Sequence, residues 1–286
     1  MIELRDIHSL RIGTADLAAA KTFATEILGL QVVEDNSEAL YLRSDNRHHS
    51  LCYVKGKAGD HIVAFELKDH RSLKASIGAL AAADIPCGLG TEAEASARFC
   101  HSFGWFNDPS GNRIELLCRP FEANRRYFPS RDAGVKGFGH IGLNSTDIPR
   151  DEVFWLQYFN MRVSDWIGGA PLMRVNPRHH QIALFPADKP GVQHINHQVE
   201  SFDDLMRSFY FLKKQGVRVV FGPGRHATSG GYFLYFEGHD GLTYEYSTSD
   251  RNIIEDEKNY RPRQFAMEDK SFCVFGSDNE ISAFKD

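Results

Sequence analysis

The sequence predicts an α+β fold of two homologous domains in tandem, followed by a C-terminal extension. Three observations carry this. The chain repeats itself at a separation of about 130 residues. In both copies, short segments of strand character precede amphipathic helical segments. Each copy also holds a pair of apolar segments joined by a Gly-containing turn, the mark of a hairpin.

The elements follow in order. IGTADLAAAKTFATEILGLQVVED, from Ile12, aligns with LNSTDIPRDEVFWLQYFNMRVSDW, from Leu143, so that Asp16 falls on Asp147, Phe23 on Phe154, Leu30 on Met161 and Val32 on Val163. Each copy reads as strand, turn, helix, strand, with the Asp placed to cap the first helical turn. Apolar spacing extends the first helix through Leu17, Ala20, Phe23, Ala24, Ile27 and Leu28; the second shows Val153, Phe154, Gln157 and Tyr158, with Trp155 beside them. HIVAFELKDHRSLKASIGALAAADIPC, around Val63, then matches HINHQVESFDDLMRSFYFLKKQGVRV, around Val199. WFNDPSGNRIELL, with Glu115, matches LYFEGHDGLTYEYS, with Glu245. The expected domains are 1–130 and 131–250. RPFEANRRYFPSRDAGVKG joins them, and an extension, 251–286, packs its RPRQF and SFCVFG segments back on the body.

Composition excludes several function classes. A net charge of −5 gives no basic footprint for nucleic acid. No apolar run approaches the ~20 residues of a membrane helix. The opening MIELRDIHSLRIG carries charges where a signal peptide needs its apolar stretch, so a cytoplasmic protein is expected. Five scattered cysteines without C-x-x-C spacing suggest free thiols, neither a zinc ribbon nor a disulfide framework.

Histidine is more informative. Three second-half segments each set one metal-capable side chain in a strand: GFGHIGLNSTD with His140, GVQHINHQV with His194 and GLTYEYS with Glu245. Two neutral imidazoles and a carboxylate, leaving coordination positions open, suit non-haem Fe(II); Mn(II) shares these preferences. A lone strand histidine is more often a hydrogen-bonded side chain than a ligand, but three in one module favour a site. The first half provides an internal control. Ser9, Ile62 and Glu115 occupy the matching positions, and His8 and His61 lie one residue away, on the opposite strand face. The first domain is therefore expected to lack metal. His197 lies on the other face from His194 and is not expected to be a ligand, His179 is read as structural, and His239 is expected to be exposed. Gly142 shares the face of His140, which suggested room there for a substituted or fused ring.

Up to about Asp250 the chain resembles the two-domain type I extradiol ring-cleavage dioxygenases of the vicinal oxygen chelate superfamily, typified by dihydroxybiphenyl and catechol 2,3-dioxygenases. The resemblance rests on NPRHHQIALFPADKPGVQHINHQVESFDDL and GPGRHATSGGYFLYFEGHDGLTYEYS. It implies two tandem vicinal oxygen chelate domains, each a pair of βαβββ modules with the sheet curled round a cavity. It also implies Fe(II) on His140, His194 and Glu245, an acid–base role for His180, and substrate-contacting roles for His226 and Tyr235. In the implied reaction a catechol bound to Fe(II) as a monoanion reacts with O₂ through an alkylperoxo intermediate to a ring-opened product. A catecholic substrate and O₂ are the expected partners, and a homo-oligomer is expected.

Two features depart from the biphenyl-type pattern. Ser229 stands where those relatives carry Asp, and the spacing from His180 to His194 is one residue shorter. The alternatives are a glyoxalase-like metal-dependent lyase or transferase of the same fold, and a non-catalytic catechol-binding protein. The diol itself is not specified by the sequence.

Overall fold

The computed structural model describes residues 1–248 and 253–285. The expected boundary between the second domain and the extension, at 250/251, lies outside the described residues.

The first half contains β1 (Leu4–Thr14), α1 (Leu17–Thr22), β2 (Gln31–Asp35), β3 (Ala39–Arg43), β4 (Leu51–Lys55), β5 (His61–Leu67), α2 (His70–Ala82), β6 (Cys87–Leu89), α3 (Glu92–Ser96), β7 (Cys100–Asn107) and β8 (Arg113–Pro120). The second half repeats the plan with β9 (Val135–Ser145), α4 (Ile148–Tyr158), β10 (Arg162–Ile167), β11 (Ala170–Arg174), β12 (Ile182–Pro186), β13 (Gly191–Val199), α5 (Phe202–Lys214), β14 (Val219–Arg225), β15 (Tyr232–Glu237) and β16 (Thr243–Thr248). β17 (Arg263–Phe265) and α6 (Asp269–Phe272) follow.

Each half forms one sheet from two β-α-β-β-β modules. The first runs β2-β3-β4-β1-β5-β8-β7-β6, the second β14-β15-β16-β13-β9-β12-β11-β10, with β17 added at its edge. The modules meet through an antiparallel pair, β1 with β5 and β9 with β13. The repeat alignment holds in the pairing: Leu10 faces Val63 as Ile141 faces Ile195, and Val63 pairs with Ile114 as Ile195 pairs with Tyr244.

Short polar side chains start the helices. The Asp16 carboxylate accepts the Ala19 N–H at 2.9 Å, Asp147 that of Arg150 at 3.1 Å, and Asp69 that of Ser72 at 2.8 Å. α5 carries Asp203 and Asp204 in its first turn and Lys213 and Lys214 in its last, each favoured by the helix dipole. α1 is shorter than its apolar spacing suggests. From Phe23 to Ile27 it widens into a π-helical turn, with Leu28 N–H bonded to the Phe23 carbonyl. Arg131 and Tyr246 take the Ile27 and Leu28 carbonyls there, at 2.6 and 2.9 Å.

Helices and sheets enclose one large core that runs through both halves. Trp155 on α4 is wholly buried and meets Phe65 and Phe106 of the first half, so the halves share packing. The inner face of the second sheet has its own cluster, in which Phe272, Cys273, Ile281 and Phe284 of the extension pack on Phe185, Phe221, Phe233 and Tyr235. No helix among the described residues is long and apolar enough to cross a membrane.

His197 sits in the main core, fully buried against Phe138, with neither ring nitrogen bonded. Burial pushes its pKa down to about 3. An unfolded histidine binds its proton near 6.5. Stability is therefore complete above that pH and is lost as pH falls towards 3. This residue alone should remove about 1.4 kcal/mol by pH 5.5. Urea unfolding of His197→Leu should show a shallower loss between neutral pH and pH 5.5 than the parent chain; equal slopes would exclude this origin.

Candidate metal centre

Six neighbouring strands of the second sheet deliver the centre. In sheet order β14, β15, β16, β13, β9 and β12 they bring His226 (just after β14), Tyr235, Glu245, His194, His140 and His180 (just before β12) to one concave face. Register explains the convergence. Tyr235 pairs with Glu245, and His194 with Gly142, one side-chain alternation from His140. A bulge between Val192 and His194 helps set that register.

The donor atoms of His140, His194 and Glu245 all lie within 4.8 Å of one another, and all three residues are buried. His140 Nε2 is 2.9 Å from His194 Nε2 and 3.0 Å from Glu245 Oε2; His194 Nε2 is 3.5 Å from the same oxygen. Cis ligands each about 2.1 Å from one ion stand about 3 Å apart, so the spacing fits a facial triad. Glu245 Oε1 is buried with no hydrogen-bond partner, a costly state for a carboxylate unless a cation compensates it. Burial alone would raise the Glu245 carboxyl, but the facing imidazoles of His140, His226 and His194 hold it well below the usual carboxylate range. Burial pushes the His194 imidazole down to about 3, against the pull of Glu245. The set is thus two imidazoles and one ionised carboxylate, able to hold a divalent ion.

Supporting contacts fix the donors. His194 Nδ1 is hydrogen-bonded to Gln193 Oε1, which leaves Nε2 free. Asn196 Nδ2 donates to Glu245 Oε2 at 2.8 Å and to Ser247 Oγ at 2.8 Å. Gly142 does not open space for a substrate ring as expected. A Cβ there would lie 2.5 Å from His194 Nδ1 and 2.8 Å from Gln193 Oε1, so the glycine makes room for the His194 imidazole itself. Gly142→Ala should displace that ring and weaken metal binding about 10- to 100-fold. Chelator competition measures this; an unchanged affinity would contradict it.

Beside the triad, the His180 and His140 ring centroids are 4.0 Å apart. His180 remains half-buried, and burial followed by the surrounding imidazoles holds it well below the usual histidine range, so it rests neutral. Tyr235 is buried, its ring 5.3 Å from that of His194 and its hydroxyl 3.2 Å from His226 Nε2. His226 Nδ1 donates to the Phe272 carbonyl at 2.8 Å, which turns its Nε2 towards the Tyr235 hydroxyl. Position 229 does not supply this support: Ser229 Oγ accepts from Gly231 N–H instead. Phe185 and Phe284 complete an aromatic wall, with centroids 5.9 and 6.4 Å from His194.

The first domain differs at the matching place. Glu115 is paired with Arg98 through two bonds of 2.6 and 2.7 Å, so a guanidinium neutralises that carboxylate. His8 bonds to Ser9, and His61 to Asn112. Among the described residues the second-domain triad is the one group of this kind. His239 is half-buried rather than exposed, because its Nε2 meets Thr14 Oγ1 at 2.8 Å between the halves.

The sequence model of the Glyoxalase/Bleomycin resistance protein/Dioxygenase superfamily matches twice, over residues 6–116 and 137–246. The chain belongs to this superfamily. Among superfamily members, a 1,2-dihydroxynaphthalene dioxygenase of Sphingobium xenophagum is 24% identical over 303 residues, covering 99% of this chain and 98% of its own. An iron-dependent extradiol dioxygenase of Rhodococcus jostii (strain RHA1) is 25% identical over 302 residues, covering 98% and 99%. The crystal structure of homoprotocatechuate 2,3-dioxygenase from Arthrobacter globiformis superimposes with a TM-score of 0.90 at 19% identity, over 100% of this chain and 92% of that one. The superfamily fold of two tandem domains is shared along the whole length.

Proposed function

We propose that the chain is a non-haem Fe(II) extradiol dioxygenase that opens the ring of a catechol-type aromatic diol with O₂. The observation that carries this reading is the placement of His180, Tyr235 and His226 beside the His140–His194–Glu245 cluster. A lone metal site would not need a neutral base and a hydroxyl donor beside it. Full-length similarity to proteins named for dihydroxynaphthalene and extradiol cleavage points to the same substrate class.

His140, His194 and Glu245 would hold the metal. Bound there, iron would supply open coordination positions for diol and O₂ and a path for electrons between them. The remaining chemistry belongs to side chains. His180, neutral at rest, accepts a hydroxyl proton from the diol and later returns one to the distal O₂-derived oxygen as the O–O bond breaks. The Tyr235 hydroxyl donates towards the reacting oxygens, and His226, anchored on the Phe272 carbonyl, sets its orientation. Phe185 and Phe284 offer apolar faces to an aromatic ring and exclude water.

O₂ uptake by anaerobically purified, Fe(II)-loaded protein tests the reading, with monocyclic, biphenyl and fused-ring diols and spectroscopic detection of the yellow ring-opened product. Uptake with product ranks the diols. Bound metal without uptake on any diol would refute the reading in favour of a glyoxalase-type reaction or simple binding.

A further inference from the structure

His180 does not stand alone in the structure. Its Nδ1 lies 3.0 Å from Nδ1 of His179, and His179 Nε2 lies 2.9 Å from Oδ2 of Asp165. Asp165 is fully buried on β10 and is gripped by Arg263 of β17 through the backbone N–H at 3.0 Å, Nε at 3.0 Å and Nη2 at 2.6 Å. Resting on the dioxygenase reading for its catalytic meaning, we propose that Asp165 and His179 are positioning residues that fix the tautomer of His180, so that its Nε2 is the lone-pair nitrogen available to the substrate.

The donor–acceptor logic runs along the chain in one direction. Arg263 keeps Asp165 ionised, and an ionised carboxylate only accepts hydrogen bonds. The His179 nitrogen facing it, Nε2, must then carry a proton. His179 is buried, and burial holds it neutral despite the carboxylate, so its Nδ1 is a lone pair. The 3.0 Å contact with His180 is then a hydrogen bond only if His180 Nδ1 is the donor. A neutral His180 with its proton on Nδ1 has its lone pair on Nε2. When Nε2 takes a proton from the substrate, the new positive charge lies at one end of a chain that terminates on a carboxylate.

Local structure holds His179 in place for this task. Its backbone carbonyl accepts from Ser164 Oγ, and that oxygen in turn accepts from Arg174 Nη1 at 2.9 Å. The first domain offers a comparison within the same chain. His48 and His49 repeat the adjacent pair with Nδ1 atoms 3.2 Å apart, but His48 stacks on Phe99 with centroids 3.6 Å apart. Among the described residues no carboxylate is hydrogen-bonded to it. The link to a buried carboxylate is found in the half that carries the metal-capable triad. A purely structural role, tethering β17 to β10 through Asp165 and Arg263, would account for the ion pair but not for the second contact to His180.

The test combines a spectroscopic and a kinetic readout on the full chain. Long-range ¹⁵N–¹H spectra of the histidine rings, taken on metal-free and on Zn(II)-loaded protein, report tautomers whatever reaction the protein catalyses. The His180 signal, identified by its loss in His180→Gln, should show the Nδ1–H form in the parent chain. In Asp165→Asn, a near-isosteric change, and in His179→Ala it should move towards the Nε2–H form. His179→Asn, whose amide oxygen can still accept from His180, should restore the parent tautomer. On the Fe(II)-loaded protein, kcat should fall about 10²-fold in Asp165→Asn and His179→Ala, the lower end of what a positioned acid–base group contributes. Metal content and anaerobic diol affinity should stay within about twofold of the parent, and His179→Asn should recover most of kcat. An Nε2–H tautomer in the parent chain, or an unchanged His180 signal in Asp165→Asn, would overturn the inference. Absent O₂ uptake with the expected tautomers would instead count against the dioxygenase reading alone.

Discussion

Replacing His194 by alanine is expected to remove the metal and bring O₂ uptake down to background, while the chain stays folded. His194 is the central member of the triad: its strand, β13, lies between the strands of Glu245 and His140. Its buried Nε2 stands 2.9 Å from that of His140, and its other nitrogen is already committed to Gln193. Alanine would leave one imidazole and one carboxylate facing a gap, too few donors for a facial triad. The carboxylate would then lose part of what compensates its burial. Metal analysis of the purified variant and oxygen-electrode traces measure both effects, with circular dichroism as the check on folding. Glu115→Gln in the first domain is the matched control. It disturbs the equivalent strand position and the Arg98 pair, and it should lower stability while leaving metal content unchanged. A full complement of metal in His194→Ala, or its loss in Glu115→Gln, would place the centre elsewhere.

The second large effect concerns His180. His180→Gln should retain metal, because the triad is untouched, and should still bind a diol under anaerobic conditions. Its turnover should fall by about 10²- to 10⁴-fold, the range for loss of a positioned acid–base group. The basis is a neutral, half-buried ring next to His140, with no competing hydrogen-bond partner at Nε2 among the described residues. Anaerobic titration separates binding from turnover. A variant that lost affinity and turnover in parallel would make His180 a binding group only.

Much of the architecture was legible because it repeats. Alternation and helical spacing marked the elements, and the alignment of Asp16 with Asp147 carried the register that the paired strands display. The triad residues could be picked out because each is a metal-capable side chain in a segment of strand character, and Ser9 and Ile62 in the other half gave a contrast. Features that depend on cross-strand register were misread. Gly142 looked like a gap beside the metal because alternation places it on the His140 face; the bulged partner strand brings the His194 ring over it. The contact of His179 with Asp165 was not foreseen, because Asp165 is on a strand that the sequence does not mark as adjacent. The support for His226 is a backbone carbonyl, that of Phe272, which has no side-chain signature at all. His239 was judged by its turn alone, and Thr14 of the other half covers it.

Mass spectrometry of the ring-opened product formed under ¹⁸O₂ tests the central claim most directly, using the diol that supports the fastest uptake by the Fe(II)-loaded chain. The account predicts that both atoms of one O₂ enter a product cleaved beside the diol, with one O₂ consumed per ring. Product carrying one labelled atom or none, or a ring opened between the two hydroxyls, would contradict it.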